Sequence, residues 1–307
     1  MVASTTRLLF VAWFACLGAL VFRGMQTGWQ AGTCIGLYLL VLGHPTLLAL
    51  ELALARLVDR RTNGASAERV PAWTLVRAWA GEWRASVAVF GWRLPWRANA
   101  VPDHLPRSSR GLRGVVFVHG FVCNRGVWNP WLARLRRLDR AFVAVNLEPV
   151  FADIDDYAEA IGRAVQRVER VTGLAPVIVA HSMGGLAVRA WLRTRAGHAT
   201  SHGHEHAARV ITIGTPHRGT WLARVARSRN GRQMRVGSAW VASLAVPGTP
   251  DHRGTFTSWW SACDQIVFPP PCAVLPGSES RHLRGSGHLQ MLEREEVWAE
   301  IRRRIDR

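Results

Sequence analysis

The chain has 307 residues, enough for one or two domains of ordinary size. It carries 39 basic residues, all of them arginine, against 21 acidic ones, so its net charge is +18. Charge of this sign suits contact with an anionic phospholipid surface, and we expect membrane lipids as partners. We expect no nucleic-acid partner, because no nucleic-acid recognition motif accompanies the arginines.

Two apolar runs dominate the N-terminal region, over residues 8–22 and 31–55. His44, Pro45 and Glu51 interrupt the second run. We predict a membrane hairpin of two transmembrane helices within residues 1–58. The first run is shorter than the ~20 residues that cross a bilayer, so a single tilted anchor and a cleaved signal peptide stay open as alternatives.

The arginines around these runs bear on orientation. Arg23 stands alone between the runs, whereas Arg56, Arg60 and Arg61 follow the second. Since positive charge collects on the cytoplasmic side, this pattern favours a multi-pass protein of the inner cell membrane with the rest of the chain in the cytoplasm. The cysteines do not decide the compartment, and the side stays open.

Residues 59–110 form a connector rich in arginine and tryptophan. Residues 72–90 have helical spacing, which puts an apolar set near one face: Leu75, Val76, Trp79, Trp83 and Val87. Tryptophan and arginine on one helix suit the headgroup region of a membrane. The alternative, that the helix packs on the following domain, stays open.

From residue 111 to 307, strand-like and helix-like segments alternate. Strands are predicted near residues 114–118, 141–147, 177–180, 209–213 and 257–264, and helices over 128–138, 153–171 and 183–195. Such alternation is typical of a parallel sheet with helices on both faces, in one α/β domain. Residues 221–256 lose this periodicity and are predicted to form a lid or cap, in which Met234, Val236, Trp240, Val241, Leu244 and Val246 either bind an apolar ligand or pack on the sheet.

The most informative motif runs from Val177 to Gly185, where Ser182 follows an apolar strand and lies between small residues. A serine on a tight turn between strand and helix is a nucleophile elbow. Ala180 replaces the glycine usual at the first position and keeps that position small. The segment ending in His119-Gly120-Phe121 predicts a loop after a strand, and we expect the backbone N–H groups of Phe121 and Met183 to form an oxyanion hole.

In the fold typical of a nucleophile elbow, an acid and then a histidine base follow the serine along the chain. Asp264 follows a predicted strand, and His288 follows a Gly-Ser-Gly loop before the C-terminal helix. We predict that Ser182, His288 and Asp264 form a catalytic triad. Asp251 is expected to be a loop or capping residue, His119 to shape its loop, and His217 to line the pocket.

The ordered motifs VFVHGF (116–121), AHSMGG (180–185), TIGTPHRGT (212–220), CDQIVFP (263–269) and SGHLQML (286–292) resemble those of bacterial lipases and esterases of the α/β-hydrolase superfamily. The resemblance covers roughly residues 112–300. It implies an α/β-hydrolase fold and hydrolysis of acyl esters or lipids through an acyl-enzyme on Ser182. No cofactor is implied. Some relatives hold calcium through aspartates near the histidine, but Glu279 is the sole acid between Asp264 and His288, so we predict no metal site.

Several alternatives remain at this level. An acyltransferase or thioesterase uses the same triad, and a non-catalytic membrane interaction module would keep the fold alone. Cys263 and Cys272 bracket Asp264 and are candidates for a disulfide. The histidines at 198, 202, 204 and 206 match no firm zinc pattern and are expected to be a solvated loop. The oligomeric state is not encoded in these patterns.

Overall fold

The computed structural model describes residues 2–196, 209–245 and 255–306. The histidine-rich segment 198–206, Val246 and Asp251 lie outside the described residues. The helices are α1 (Val2–Thr27), α2 (Gln30–Val41), α3 (Gly43–Asn63), α4 (Ala72–Ser86), α5 (Leu94–Trp96), α6 (Asn129–Arg137), α7 (Ala158–Thr172), α8 (Met183–Ala196), α9 (Arg229–Gln233), α10 (Ala239–Ser243) and α11 (Glu295–Ile305). The strands are β1 (Val115–Val118), β2 (Phe142–Val145), β3 (Val177–His181), β4 (Arg209–Ile213), β5 (Phe256–Trp260) and β6 (Glu279–His282).

The strands form one six-stranded sheet in the order β2-β1-β3-β4-β5-β6, and each adjacent pair is parallel. Alternate side chains of β1 pack into two hydrophobic cores, one on each face of the sheet. Val116 and Val118 pack with α7 and α8 on one face, while Val115 and Phe117 pack with α6 and α11 on the other. The predicted sheet with helices on both faces is therefore confirmed. Since the carboxyl ends of parallel strands meet at one edge, the loops after β1, β3, β5 and β6 lie together.

The helix predicted over residues 153–171 is confirmed, except that its first turn is a 3₁₀ turn and not an α-helical one. Residues 154–157 form a 3₁₀ turn in which Asp153 and Asp156 make a capping box, and α7 follows. Gly173, at φ 75°, ends the helix in the left-handed conformation that glycine adopts most easily. The hydrophobic spacing seen in the sequence thus corresponds to the buried face of α7.

The N-terminal region differs from two plain transmembrane helices. Helix α1 has 26 residues and a mean hydropathy of 2.0 in its most apolar window, and it is long and apolar enough to cross a membrane. The second apolar run is two helices, α2 and α3, which are bent by 66°. Pro45 lies in the first turn of α3, where a proline is tolerated but cannot continue a preceding helix. Several residues of α3, Leu48, Leu52, Ala55 and Val58, are buried inside the protein.

Helix α4 packs on the rest of the protein, which is one of the two alternatives that the sequence left open for it. It makes this contact through Ala78, Glu82, Ala85 and Ser86, which are buried. Several of its large side chains face outward, with Val76 60% and Trp83 39% exposed. The chain continues as a π-helical segment over Val87–Arg93. The face predicted from apolar spacing is therefore partly exposed, while smaller residues and one carboxylate make the contact.

The sheet also contains one strand that was not predicted, β6. Its sequence, Glu-Ser-Arg-His, has no apolar residue to mark it, because it lies at the edge of the sheet and is only partly buried. Strand β5 ends at Trp260, so Asp264 lies in the turn after the strand and not at its last residue. The predicted strand over 257–264 is thus too long by four residues.

Candidate active site

Ser182 lies in the turn between β3 and α8, with its backbone at φ 54°. This is the left-handed region, which costs a non-glycine residue roughly 1–2 kcal/mol and is maintained only where the surroundings hold it. The Ser182 N–H donates to the carbonyl of Ile213 at 2.9 Å. Small neighbours are required: a Cβ on Gly120 would lie 2.8 Å from the Cβ of Ser182, and one on Gly184 would overlap the carbonyl oxygens of β1 and its loop. The turn therefore has the geometry of a nucleophile elbow.

Asp264 and His288 form a buried pair. The Nδ1 atom of His288 donates to Oδ2 of Asp264 at 2.9 Å, and the two residues are 5% and 3% exposed. The other oxygen, Oδ1, accepts from the N–H groups of Ile266 at 2.8 Å and Val267 at 2.9 Å. Both oxygens of Asp264 thus face donors, which orients the carboxylate and selects the histidine tautomer with the proton on Nδ1.

The charges around His288 determine its proton affinity. Burial lowers the pKa of His288, but the charge and hydrogen bond of Asp264, with the charges of Glu82 and Glu51, outweigh that effect and raise the pKa above its usual value. His181, the neighbour of Ser182, has its ring 4.5 Å from that of His288 and donates from Nε2 to the His288 carbonyl at 3.3 Å. Burial lowers the pKa of His181 well below its ordinary value, so this second imidazole stays neutral.

Gly214 is the point where the three predicted residues converge. It follows Ile213, whose carbonyl accepts from Ser182, and it has φ 54°. A Cβ on Gly214 would lie 3.0 Å from Nδ1 of His288 and 3.1 Å from Oδ2 of Asp264. The loops after β3, β4, β5 and β6 therefore bring Ser182, Asp264 and His288 to one place.

The two predicted oxyanion donors lie beside the elbow. Met183 is the first residue of α8, where backbone N–H groups have no partner within the helix. Phe121 follows β1, next to Val122, whose φ of 53° is unusual for a β-branched residue. The ring of Phe121 is half-buried and packs edge-on against the exposed Phe151 with 5.8 Å between centroids. These aromatic rings provide an apolar surface near the loop.

The other predicted histidines have structural contacts. The ring of His119 donates from Nδ1 to the Gly120 carbonyl at 2.8 Å and accepts at Nε2 from the Leu147 N–H at 3.0 Å. Burial lowers its pKa to about 4, so the ring stays neutral and joins the ends of two strands. This confirms the expectation that His119 shapes its loop. His217 is buried and its Nε2 lies 3.0 Å from the Thr212 hydroxyl.

Residues 221–245 of the predicted lid pack mostly on the sheet. Met234 and Leu244 are buried in the same core as α7 and α8, and Val241 is also buried. Trp240 is half-buried and donates from its indole nitrogen to Asp155 at 3.0 Å. Val236 stays half exposed. Of the two interpretations of these apolar residues, packing on the sheet is confirmed for the buried ones.

Cys263 and Cys272 are free thiols, so they form no disulfide. Burial raises the pKa of each to about 11, which leaves both protonated and unreactive at neutral pH. The disulfide that the sequence left open is therefore absent. Their burial beside the loop of Asp264 is packing and not crosslinking.

Sequence reasoning missed two polar residues next to the triad candidates. Gln265 accepts from the His288 N–H at 3.2 Å and donates to Glu82 at 2.8 Å. Glu82, from α4, also accepts from the N–H groups of Leu289 and Gln290. One signal was present: Glu82 is the single acid between Glu68 and Asp103, inside a segment of aliphatic and aromatic residues.

Comparison with solved structures agrees with the fold. A lipase B from Aspergillus fumigatus matches with a TM-score of 0.54 and 20% identity, over 66% of this chain and 55% of that one. A mature Bacillus licheniformis lipase, BlEst2, matches with a TM-score of 0.52 and 18% identity, over 64% of this chain and 92% of that one. This chain has the α/β-hydrolase fold. At these identities the likeness establishes the fold alone. Helix α1 is an additional apolar helix at the N-terminus, before the α/β-hydrolase region. No protein-family model and no curated protein sequence matches the chain.

Proposed function

We propose that the chain is a membrane-associated serine hydrolase that cleaves carboxylic esters. The observation that carries this proposal is the buried Asp264–His288 pair beside the strained turn of Ser182. A hydrogen-bonded acid and imidazole next to a serine at a strand-to-helix turn is the arrangement that acyl transfer requires. The lipases among the solved structures of similar fold agree with ester chemistry in general.

The proposed reaction has two steps. His288 takes the proton from the Ser182 hydroxyl while Oγ forms a bond to the ester carbonyl carbon, and the N–H groups of Phe121 and Met183 bind the developing oxyanion. The carbon–oxygen bond to the alcohol breaks as His288 returns its proton to the leaving oxygen. Water then attacks the acyl-enzyme with His288 again as base, which releases the carboxylic acid and restores Ser182.

The N-terminal region is proposed to hold the enzyme at the cell membrane. At about 1.5 Å per residue, the 26 residues of α1 extend about 39 Å, more than the ~30 Å of a hydrocarbon core. Between Arg7 and Arg23 its exposed side chains, including Leu8, Leu9 and Val11, are apolar. The α2–α3 pair is proposed to re-enter the bilayer only over α2 and the first turn of α3, because the rest of α3 packs on the protein.

A basic cavity supports anionic lipid as a partner. It has a volume of about 590 Å³ and lies between the start of α4 and the loop before His288. Arg69, Arg77, Arg284 and Arg294 line it with Glu68 as its single acid, and Trp73 lies at its edge. Among the described residues, Arg69, Arg77 and Arg284 form no ion pair with a carboxylate. Unpaired guanidinium groups around one cavity favour a phosphate-bearing headgroup.

Ester turnover tests this function. The detergent-solubilised protein is assayed with p-nitrophenyl esters of two to sixteen carbons and with a fluorophosphonate probe, beside Ser182→Ala and a control, Ser66→Ala, at an exposed turn. Wild type and Ser66→Ala should cleave and label, and Ser182→Ala should do neither. Added alcohol or thiol acceptors distinguish transferase activity from hydrolysis. A folded wild type that neither cleaves nor labels would refute the proposal.

A further inference from the structure

Glu82 is a fully buried carboxylate whose contacts all come from the neighbourhood of His288. Its Oε1 accepts from Gln265 Nε2 at 2.8 Å and from the Leu289 N–H at 3.0 Å. Its Oε2 accepts from the N–H groups of Leu289 and Gln290, both at 2.9 Å. Every one of these contacts is an N–H donor, and none belongs to α4 itself. A hydroxyl on either oxygen would point at a donor, so the ionised form fits this environment.

Two glycines permit the close approach of α4 to this loop. A Cβ on Gly287 would lie 2.6 Å from both the Cβ and the Oε2 of Glu82. A Cβ on Gly81 would overlap the side chain of Gln290. On either side of the carboxylate, α4 and the loop thus approach so closely that only a glycine fits at the contact.

The carboxylate is joined to the imidazole by a short path. Gln265 donates to Glu82 and accepts from the backbone N–H of His288. The backbone of His288 is thus held by Gln265 directly and by Glu82 through the N–H of the next residue, Leu289. The side chain of His288 then has Asp264 on Nδ1. Loss of the Glu82 acceptors would leave three buried N–H groups without partners, and the loop would have to move to satisfy them.

We propose that Glu82, contributed by the N-terminal helix α4, is a positioning residue that holds the 287–290 loop and sets the orientation and basicity of His288. The proposal rests on the hydrolase function proposed above. It makes the segment before the hydrolase domain part of the catalytic machinery, so that α4 acts as more than a link to the membrane helices.

The charge of Glu82 has a consequence that simple packing lacks. The groups that interact electrostatically with His288 are Asp264, Glu82, Glu51 from α3, and His181. Burial raises the pKa of Glu82, and its backbone donors and His288 oppose that rise. In the ionised state Glu82 favours the imidazolium form, so removing its charge makes His288 a weaker base.

The test compares Glu82→Gln, Glu82→Asp and Glu293→Gln in the full-length protein. The Glu82→Gln variant places an amide NH₂ against N–H donors and removes the charge, whereas Glu82→Asp keeps the charge on a side chain that is one methylene too short. Glu293→Gln is the matched control, because Glu293 joins Arg84 at 2.8 Å and Arg93 at 3.2 Å and so ties the same N-terminal segment to the domain away from the triad. Circular dichroism verifies folding of each variant.

We expect Glu82→Gln to lower kcat about 10- to 100-fold with KM within about threefold of wild type. The acid limb of kcat/KM should move to lower pH. Glu82→Asp should lose kcat without that movement, and it carries the test if Glu82→Gln does not fold. Glu293→Gln should stay near wild type. Unchanged kcat in both Glu82 variants, or an equal loss in Glu293→Gln with no shift of the acid limb, would overturn the proposal.

A readout that needs no turnover separates this proposal from the hydrolase function. The proton between His288 and Asp264 gives a far-downfield NMR signal whose change with pH reports the pKa of His288. Glu82→Gln should lower that midpoint even if the wild type proves inactive on every ester. If the wild type is inactive but Glu82→Gln has a shifted midpoint, the hydrolase function is refuted and the positioning role is retained. If the wild type is active but Glu82→Gln has an unchanged midpoint, the positioning role is refuted and the hydrolase function is retained.

Discussion

The ring of His181 lies 4.5 Å from the ring of His288, and the two imidazoles differ in their proton affinity. Burial, with no carboxylate against it, lowers the pKa of His181, whereas Asp264 and two further carboxylates raise that of His288 despite equal burial. The pKa of His288 is thus raised while that of His181 is lowered, and His181 stays uncharged at neutral pH. The environment of each ring, and not its residue type, makes His288 the better candidate for the proposed base.

This difference predicts the pH dependence of ester cleavage. His288 must be neutral to accept the proton of Ser182, so kcat/KM should fall as pH decreases through the pKa of His288, which lies above the ordinary value of 6.5. A single ionisation is expected, because His181 and His119 stay neutral. The measurement is a pH–rate profile with a medium-chain p-nitrophenyl ester. An acid limb centred below the ordinary histidine value would contradict this assignment.

Gly214→Ala should inactivate the protein by separating the catalytic pair. The new methyl group would lie 3.0 Å from Nδ1 of His288, so the bond to Asp264 must lengthen, and we expect kcat to fall about 100-fold or more. The matched control is Gly237→Ala, which has a similarly positive φ of 72° but nothing within 4 Å. Both variants share the backbone cost of about 1–2 kcal/mol in unfolding free energy. Equal kcat values for Gly214→Ala and Gly237→Ala would contradict the close approach of His288 and Asp264 to Gly214.

Binding to anionic vesicles should depend on the basic cavity. The triple variant Arg69→Gln, Arg77→Gln, Arg284→Gln removes the three unpaired guanidinium groups and should weaken binding to phosphatidylglycerol vesicles roughly tenfold or more at low salt. Arg163→Gln, Arg170→Gln, Arg227→Gln removes equal charge from positions elsewhere on the protein. Equal losses in both triples would mean that net charge, and no particular cavity, attracts the membrane. Soluble glycerol phosphate as competitor distinguishes a headgroup site from a surface effect.

The native cysteines provide a test of membrane insertion. Cys16 in α1 and Cys34 in α2 are exposed, whereas the other three cysteines are buried. In sealed membrane vesicles a charged maleimide should leave Cys16 unlabelled, and labelling should appear once detergent dissolves the bilayer. Ser66→Cys, at an exposed turn, is the accessible control and reports the side of the domain. Rapid labelling of Cys16 in intact vesicles would show that α1 does not span.

The sequence alone predicted the candidate site residues, because the signals that mark them are local. Ser182 follows an apolar strand and lies among small residues, Asp264 follows a predicted strand, and His288 follows a Gly-Ser-Gly loop. Chain order and turn chemistry therefore predict their positions without knowledge of their contacts. The parallel sheet was predicted in the same way, because strands such as β1 and β3, buried on both faces, are continuous apolar runs.

Only the tertiary structure decided the features that depend on what packs against what. Glu82 has the spacing of a polar residue on an amphipathic helix, and its role exists only because Gly81 and Gly287 bring α4 against the loop of His288. Strand β6 carries no apolar pattern, since an edge strand needs none. The second apolar run is bent between α2 and α3, and several later residues of α3 are buried in the protein. The residue pattern of one segment indicates how that segment is buried. A contact between segments distant in sequence depends on the packing energy of both surfaces, which neither pattern contains alone.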